Sequence, residues 1–243
     1  IANFSTTLDR ITLDQKERHI VRLCGIVGGL EKKISKKDNR PWALFHVATR
    51  SVSIPVTLKT RLGWDDDMMN APDIAARAEA AGIRRIVIHG RTRCQFYKGH
   101  ADWAAIAAVK DAVKIPVIAN GDIVDTATAR TALTASGADG VMIGRGAQGR
   151  PWILRDIAAE LNGQVAPNAP TGRALIDLVQ GHYDAMLSFY GRDLGAKTAR
   201  KHLGWYMDMT RPEPDLRRAI LTQRDPVQVT KLLPDALAQR CAS

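Results

Sequence analysis

The sequence predicts an α/β fold in which short parallel strands alternate with helices. From Ser53 onward, brief apolar runs alternate with stretches of helical periodicity, and the repeat is roughly 30 residues, the length expected of a βα unit. The runs are apolar at successive positions, which is typical of parallel strands buried on both faces. Beyond about residue 170 only helical periodicity remains, which indicates a separate helical region.

Four βα units are expected between residues 51 and 162. Strands are predicted at 54–59, 85–89, 116–119 and 140–143, and helices at 71–81, 103–113, 126–135 and 152–161. Pro72 in the first turn and Gly82 after the last are typical boundaries of a helix. Because a closed β/α barrel has eight such units, the expected fold is a partial TIM-type barrel.

The segments on either side of these units have different patterns. In residues 1–50, apolar runs at 20–27 and 41–49 flank a lysine-rich turn at 32–39, which predicts a β-hairpin. A linker at 162–170 precedes helices expected at 172–190, 196–209, 214–221 and 227–233. The expected domains are a hairpin segment (1–50), a half barrel (51–162) and a helical domain (163–243).

Composition restricts the classes of function. No apolar run approaches the roughly 18 residues that a membrane span needs, so no membrane association is expected. The cysteines Cys24, Cys94 and Cys241 are widely spaced, which argues against a disulfide framework or a metal site and favours the cytoplasm. The net charge of +10 favours a polyanionic partner, most simply nucleic acid, although a merely basic surface is the alternative.

Polar and glycine residues follow each predicted strand of the half barrel. Lys59 ends the first strand and His89 the second, while Asn120-Gly121-Asp122 and Gly144-Arg145-Gly146 follow the third and fourth. Functional residues of β/α barrels lie at these strand ends, and glycine-rich turns with free amides can hold a phosphate. Purely structural glycine turns, a solvated Lys59 and a core His89 are the alternatives.

Two further groups of residues are candidates for contact with RNA. The loop after His89 contains Arg91, Gln95, Tyr97 and Lys98, and its cationic, amide and aromatic groups can together hold a nucleotide. Arg200 and Lys201 lie on a predicted helix, where they could meet RNA phosphates. A solvated loop and a solvated helix face are the alternatives, and Cys94 is interpreted as a bystander.

These motifs together resemble the bacterial tRNA-dihydrouridine synthases. The resemblance rests on KTRLGW from Lys59, HGRTRCQFYKG from His89, NGDI from Asn120, GRGA from Gly144 and RKHLGWY from Arg200, and it covers about residues 51–240. It implies a TIM barrel that binds FMN at its strand ends. NADPH reduces the flavin, which passes hydride to C6 of a uridine in tRNA, while a cysteine supplies the proton at C5.

The resemblance also implies roles for individual residues. Lys59 and His89 are expected to contact the flavin, whereas its ribityl phosphate end is expected to be held by Asn120, Gly121, Asp122, Gly144 and Arg145. The C-terminal helices are expected to grip the tRNA.

This resemblance is partial. The family's N-x-G-C-P loop, which carries the general acid, does not occur here, and its first four βα units have no counterpart, so the catalytic residue is unknown and activity is expected to be impaired. Residues 1–50 weakly resemble an OB-fold region of a replicative DNA polymerase α subunit, which suggests a fusion. A non-catalytic nucleic-acid-binding fusion protein is the alternative. Because an open four-stranded sheet exposes its edges, a homodimer that closes one barrel is expected.

Overall fold

The computed structural model describes residues 27–34, 41–47 and 55–238 of the chain. Two sheets are present in these residues, a two-stranded sheet and a four-stranded parallel sheet in the order β3-β4-β5-β6. The strands are β1 (Val27–Ile34), β2 (Pro41–Val47), β3 (Thr57–Arg61), β4 (Arg85–His89), β5 (Val117–Asn120) and β6 (Gly140–Met142). The helices are α1 (Ala71–Ala80), α2 (Ala107–Ala112), α3 (Thr126–Ser136), α4 (Ile153–Leu161), α5 (Gly172–Tyr190), α6 (Arg192–Thr210), α7 (Pro214–Thr222) and α8 (Pro226–Leu237).

Strands β1 and β2 pair in antiparallel register, so the predicted hairpin is confirmed but its first strand lies later than expected. Residues 20–26 of that predicted strand lie outside the described residues. Lys32 and Lys33, which were expected to begin the turn, lie opposite Ala43 and Trp42 within the ladder. Both strands of a two-stranded sheet are edge strands, where lysines are common, so these lysines do not end the strand.

Strands β3 to β6 confirm the four βα units. Each strand pairs in parallel with the next, from Thr57 opposite Arg85 to Asn120 opposite Met142, with helices between successive strands. Sequential parallel order is the arrangement of a β/α barrel, here as four adjacent strands of a partial TIM-type barrel. All four carboxyl ends therefore lie at one edge of the sheet.

Local sequence accounts for where the helices begin and end. Asp125 accepts a hydrogen bond from the Thr128 amide in a capping box at the start of α3, and Gly137 ends that helix in the left-handed region. In α1, Pro72 lies in the first turn, as predicted. The predicted helix at 103–113 divides into a 3₁₀ turn (Ala104–Ile106) followed by α2.

One face of the parallel sheet is packed against helices. The strand residues Ile86, Ile88, Val117 and Ala119 are buried with Ile106 of the 3₁₀ turn and with residues of α1 and α2. A second cluster includes Ile123 and Ile157. Side chains alternate along a strand, so Lys59, Val87, His89 and Ile118 belong to the opposite face. The functional side chains thus emerge on the face that the helices leave open.

The C-terminal helices surround a core of their own. Its members come from α5, α6, α7 and α8, and they include Leu175, Tyr183, Leu203, Ile220 and Leu233. Gly149, in the left-handed region, lies directly against the backbone carbonyl of Trp205 in α6, and this contact joins the helices to the last βα unit. The division into three domains stays a prediction. Within the described residues, no helix is both long and apolar enough to cross a membrane.

Candidate functional site

A cavity of about 560 Å³ lies at the carboxyl ends of the parallel strands. Its size is within the range of roughly 300–1,000 Å³ typical of small-molecule sites. All seven residues predicted to bind the cofactor line it, namely Lys59, His89, Asn120, Gly121, Asp122, Gly144 and Arg145. The parallel topology explains this convergence, because it brings four strand ends that are far apart in sequence to one edge.

Lys59 and Asn120 are linked across the sheet. The Lys59 ammonium donates to Asn120 Oδ1 at 2.8 Å, and Asn120 Nδ2 donates to the Met142 carbonyl at 2.7 Å. Burial lowers the pKa of Lys59, and the nearby Arg61 charge lowers it further. The ammonium has one described acceptor, so other protons of this group are available to a ligand in the cavity.

Arg91 is buried next to two residues that line the cavity, His89 and Asp122. It is 1% exposed. Its Nη2 donates to Asp122 Oδ2 at 2.5 Å and to the Gly99 carbonyl at 2.7 Å, while its Nε donates to the Lys98 carbonyl at 3.1 Å. Its Nη1 approaches His89 Nε2 at 3.3 Å. The structure therefore places Arg91, a predicted RNA contact, inside the protein, where it holds the loop after β4.

His89 is neutral across the physiological range. Burial is the main cause that lowers its pKa to about 4, and the charges of Arg61, Lys59 and Arg91 add to the effect against a smaller opposing contribution from Asp122. An imidazolium in this cationic setting would be costly. His89 can therefore offer hydrogen bonds from a neutral ring.

The turn after β5 has a backbone that few residues adopt. Gly121 has a φ of 116° and Asp122 a φ of 54°. A Cβ at position 121 would lie 2.8 Å from the His89 ring and from the Ala101 side chain, so glycine is required there. Asp122 is fixed by the Ala101 amide, which donates to its Oδ2 at 2.7 Å, and by the Arg91 pair.

Arg145 extends into the mouth of the cavity. Its side chain is 59% exposed and lies 3.7 Å from Asp122 Oδ1, and its guanidinium carbon is 4.8 Å from the centre of the Tyr97 ring. Arg61 approaches the same ring at 5.6 Å. An added Cβ at Gly144 would meet nothing within 4 Å, so space is open beside this cation. An exposed cation beside an open turn suits an anionic group.

Sequence reasoning missed four residues that also line the cavity, namely Ile123, Val124, Gln148 and Arg150. Arg150 donates to the Val124 carbonyl at 2.7 Å and to the Gly146 carbonyl at 3.1 Å, so it joins the turns after β5 and β6. Gln148 and Arg150 could have been predicted, because they closely follow the turn Gly144-Arg145-Gly146 and belong to the same segment rich in glycine and arginine.

The candidate RNA contacts fall into different settings. Tyr97 and Lys98 are exposed at the rim, whereas Gln95 is partly buried and accepts from the Thr92 amide. Lys201 is exposed on α6, and the Arg200 Nε is buried without a hydrogen-bond partner among the described residues. Cys94 is exposed. No group of three or more His, Cys, Asp or Glu residues in the described ranges is arranged to hold a metal.

The sequence model of the family described as "Dihydrouridine synthase (Dus)" matches residues 43–242. The chain belongs to this family. It is 52% identical over 219 residues to a "Probable tRNA-dihydrouridine synthase" of Rhodobacter capsulatus, a match that covers 90% of this chain and 67% of that relative. A protein of the same description from Rickettsia conorii is 44% identical, over 86% of this chain and 64% of its own length.

A third relative, "tRNA-dihydrouridine synthase B" of Xanthomonas axonopodis, is 47% identical over 70% of this chain and 52% of its own length. The chain thus spans between about half and two thirds of the length of these relatives. Among solved structures, mandelate oxidase with (S)-2-phenylpropionate is 19% identical with a TM-score of 0.29, over 76% of this chain and 63% of that one. So low a score carries no argument.

The matches bear on the first fifty residues. The family match begins at residue 43, within β2, and the Rhodobacter match covers 219 of the 243 residues and so leaves 24 outside it. Similarity to the synthases therefore begins earlier than residue 51. The OB-fold resemblance of residues 1–50 receives no support, and the family match favours a synthase over a binding fusion.

Proposed function

We propose that this chain is an FMN-dependent tRNA-dihydrouridine synthase by descent and that it binds FMN in the cavity at the strand ends. The observation that carries the proposal is the convergence of Lys59, His89, the turn after β5 and Arg145 on one cavity, in a chain of this family. FMN, when bound and reduced, supplies a hydride for the reduction of uridine. NADPH is proposed as its reductant.

The chemistry of the lining residues fits the two ends of FMN. Arg145, the open space at Gly144 and the turn at 120–122 suit the phosphate, because a cation and close backbone approach are both available there. Lys59 lies at the centre of β3, which continues to Arg61 and does not end at Lys59 as predicted, and His89 is the last residue of β4. Each can donate a hydrogen bond to the ring system. An added Cβ at Gly146 would lie 2.5 Å from the Ile123 carbonyl, so glycine keeps the phosphate turn close to its neighbour.

RNA is proposed to bind at the rim of the cavity and along α6. Tyr97, Lys98 and Gln95 are the proposed contacts at the rim, and Lys201 with Arg200 are the proposed contacts on the helix. The exposed Tyr97 ring between two arginines offers a stacking surface for a base. Arg91 is omitted from this set because its donors are already engaged inside the protein.

The chain is proposed to be slow in the complete reaction. Saturation of the uridine double bond needs a proton at C5, and the sequence lacks the family's cysteine loop. His89 does not supply that proton at neutral pH, because its pKa is about 4. Loss of one positioned acid typically costs about 10²–10⁴-fold in rate.

A cytoplasmic homodimer is proposed as the working form. The open face of the parallel sheet carries the partly buried Ile118, and β3 and β6 are the two edges of this sheet. A second copy could close the barrel and bury this face, which would contribute about 25 cal/mol for each Å² of apolar surface. Light scattering tests this, and a monomer at micromolar concentration would contradict it.

A titration of FMN into the protein, followed by flavin fluorescence and visible absorbance, tests the proposed function. Saturable binding to the wild type is expected, and Arg145→Ala is expected to raise Kd. A charge-assisted hydrogen bond contributes about 1.5–3 kcal/mol. Because Arg145 is 59% exposed, solvent weakens the bond to about the lower end of that range or slightly below it, and about 1–2 kcal/mol corresponds to roughly 5–30-fold.

The matched control is Arg77→Ala, which removes an exposed arginine of α1 that pairs with Asp73 and is not among the described residues that line the cavity. Its Kd is expected to equal that of the wild type. Absence of saturable FMN binding, or equal affinity in Arg145→Ala and the wild type, would refute the assignment.

A further inference from the structure

The pair formed by Arg91 and Asp122 has a consequence for the hydrogen atoms of His89. We propose that these two are positioning residues, which hold His89 in the neutral form with its proton on Nδ1, so that His89 presents an Nδ1–H donor to the ligand of the cavity. The statement about the ligand rests on the FMN binding proposed above, whereas the statement about the proton depends on the protein alone.

The first step is the contact between the two side chains. Arg91 Nη1 lies 3.3 Å from His89 Nε2. A guanidinium has donors only and stays protonated in proteins, so it cannot accept a hydrogen bond from the ring. The contact is favourable only when Nε2 carries a lone pair. A neutral imidazole with a bare Nε2 has its single proton on Nδ1.

The second step is that Arg91 cannot turn away from the ring. Its other donors are engaged in the same plane, with Nε bonded to the Lys98 carbonyl and Nη2 bonded to the Gly99 carbonyl and to Asp122 Oδ2. Asp122 is in turn held by the Ala101 amide at 2.7 Å. With these acceptors fixed, a planar guanidinium leaves Nη1 directed at the imidazole.

The third step is that the ring cannot turn away either. The edge of the imidazole with Cδ2 and Nε2 lies against Gly121, where an added Cβ would be 2.8 Å from Cδ2 and 3.1 Å from Nε2. This contact fixes which edge of the ring faces inward. The two nitrogens of His89 therefore have different surroundings set by the turn after β5.

The fourth step concerns the opposite edge of the ring. No described residue forms a hydrogen bond with Nδ1, and the buried side-chain atoms without a partner are Asp65 Oδ1 and Arg200 Nε. Because His89 is a buried residue that lines the cavity, its unpartnered Nδ1 must be accessible from the cavity. An Nδ1–H there suits an acceptor such as a carbonyl or ring nitrogen.

The charges around His89 oppose a second proton. Lys59, Arg61 and Arg91 face the ring as cations, Asp122 is the facing carboxylate, and the Tyr97 ring centre lies 6.5 Å away. Burial and these cations keep the pKa of His89 at about 4. The ring thus stays neutral through the neutral range and keeps the lone pair on Nε2 that an imidazolium would lose.

Nitrogen NMR of the full chain labelled with ¹⁵N-histidine tests this without any ligand. Long-range ¹H–¹⁵N correlation distinguishes a protonated nitrogen from a bare one, and loss of a signal in His89→Asn assigns the ring. At neutral pH we expect a protonated Nδ1 and a bare Nε2. A proton on Nε2, alone or together with Nδ1, would overturn the proposal.

Two variants test whether Arg91 is the cause. Arg91→Met keeps the length of the side chain but removes the donors, and a substantial fraction of Nε2-protonated His89 is expected. The matched control is Arg93→Met, since Arg93 lies in the same loop with its guanidinium 4.3 Å from the Phe96 ring. It is expected to leave the tautomer unchanged. An unchanged tautomer in folded Arg91→Met would overturn the assigned role.

If Arg91→Met fails to fold, Asp122→Asn replaces it as a milder change that keeps Arg91. A substantial fraction of Nε2-protonated His89 is again the expected result. Addition of FMN then tests the ligand. A shift of the Nδ1 signal with Nε2 still bare is expected, and binding without such a shift would overturn the ligand part. Absence of FMN binding would instead contradict the proposed function, and the proton position measured without ligand would still stand.

Discussion

Asp122→Asn tests the most heavily used carboxylate of the site through the stability of the fold. Asp122 Oδ2 accepts from Arg91 Nη2 at 2.5 Å and from the Ala101 amide at 2.7 Å. Asparagine keeps the shape and one acceptor oxygen and tolerates the left-handed backbone at this position, so the change removes mainly the charge. The Arg91 side chain, which is 2% exposed, then loses its ionic partner.

The expected cost follows from the two hydrogen bonds. The Ala101 bond falls from about 1.5–3 kcal/mol, for a charged acceptor, to about 0.5–1.5 kcal/mol for a neutral one. The Arg91 bond keeps its charged donor but loses the opposite charge, so the two bonds lose about 2 kcal/mol together. The Asp122 side chain is 26% exposed, which leaves some of the charge solvated. We expect the free energy of unfolding to fall by about 1–3 kcal/mol, or Tm by roughly 4–8 °C for a 2 kcal/mol loss.

Urea unfolding followed by circular dichroism measures this loss. The matched control is Asp73→Asn, the same substitution in an exposed pair with Arg77 whose side chains are 61% and 79% exposed. Exposed pairs contribute little, so a change below about 0.5 kcal/mol is expected there. Equal stability of Asp122→Asn and Asp73→Asn would refute the importance of the Arg91–Asp122 pair.

The stability difference between the wild type and Asp122→Asn is expected to depend on pH. Burial alone would raise the pKa of Asp122, but hydrogen bonds from Arg91 and the Ala101 amide, with the charges of Arg91 and Arg145, hold it below its ordinary value. A carboxylate of this kind stabilises the fold above its unfolded pKa of about 3.9, and the contribution is lost as pH falls through the folded value. The difference between wild type and Asp122→Asn should therefore shrink below about pH 4.

Three further outcomes are expected. Gly149→Ala should destabilise the fold by roughly 1–3 kcal/mol more than Gly163→Ala in urea, because both glycines have positive φ but only Gly149 lies against the backbone of Trp205; equal losses would contradict the contact. Lys201→Ala should reduce the slope of log affinity for tRNA against log salt by about 1, whereas Lys231→Ala on α8 should leave it unchanged. Dihydrouridine formation by the reduced, FMN-loaded chain should be about 10²–10⁴-fold slower than that of a complete synthase, and an equal rate measured by nucleoside analysis would contradict this.

The barrel units could be predicted because their signals are local. Strand Arg85–His89 and helix Gly172–Tyr190 have the predicted bounds, since apolar runs and helical periodicity are read within a few residues. That Lys59 and Asn120 line one cavity was also expected from sequence, because parallel strands in sequential order bring their carboxyl ends together, although Lys59 lies two residues before the end of β3. Here topology alone sufficed, without any knowledge of side-chain packing.

The orientation of individual side chains was not predictable in the same way. Arg91 and Arg93 are two residues apart in one basic loop, yet only Arg91 is buried. Its burial depends on the Asp122 carboxylate, which is 31 residues away, and on carbonyls at the far end of the loop. Composition reports that a loop is basic, but only the packed structure decides which cation turns inward.

The contact between Gly149 and Trp205 fixes the distance between helix α6 and the cavity. Gln148 and Arg150, on either side of Gly149, line the cavity, and Arg200 and Lys201 precede Trp205 by about one turn of α6. Because backbone meets backbone there, no side chain can repack to let the two parts slide. An RNA bound as proposed would have to span a constant distance from α6 to the cavity, and this distance would limit which nucleotide could reach the site.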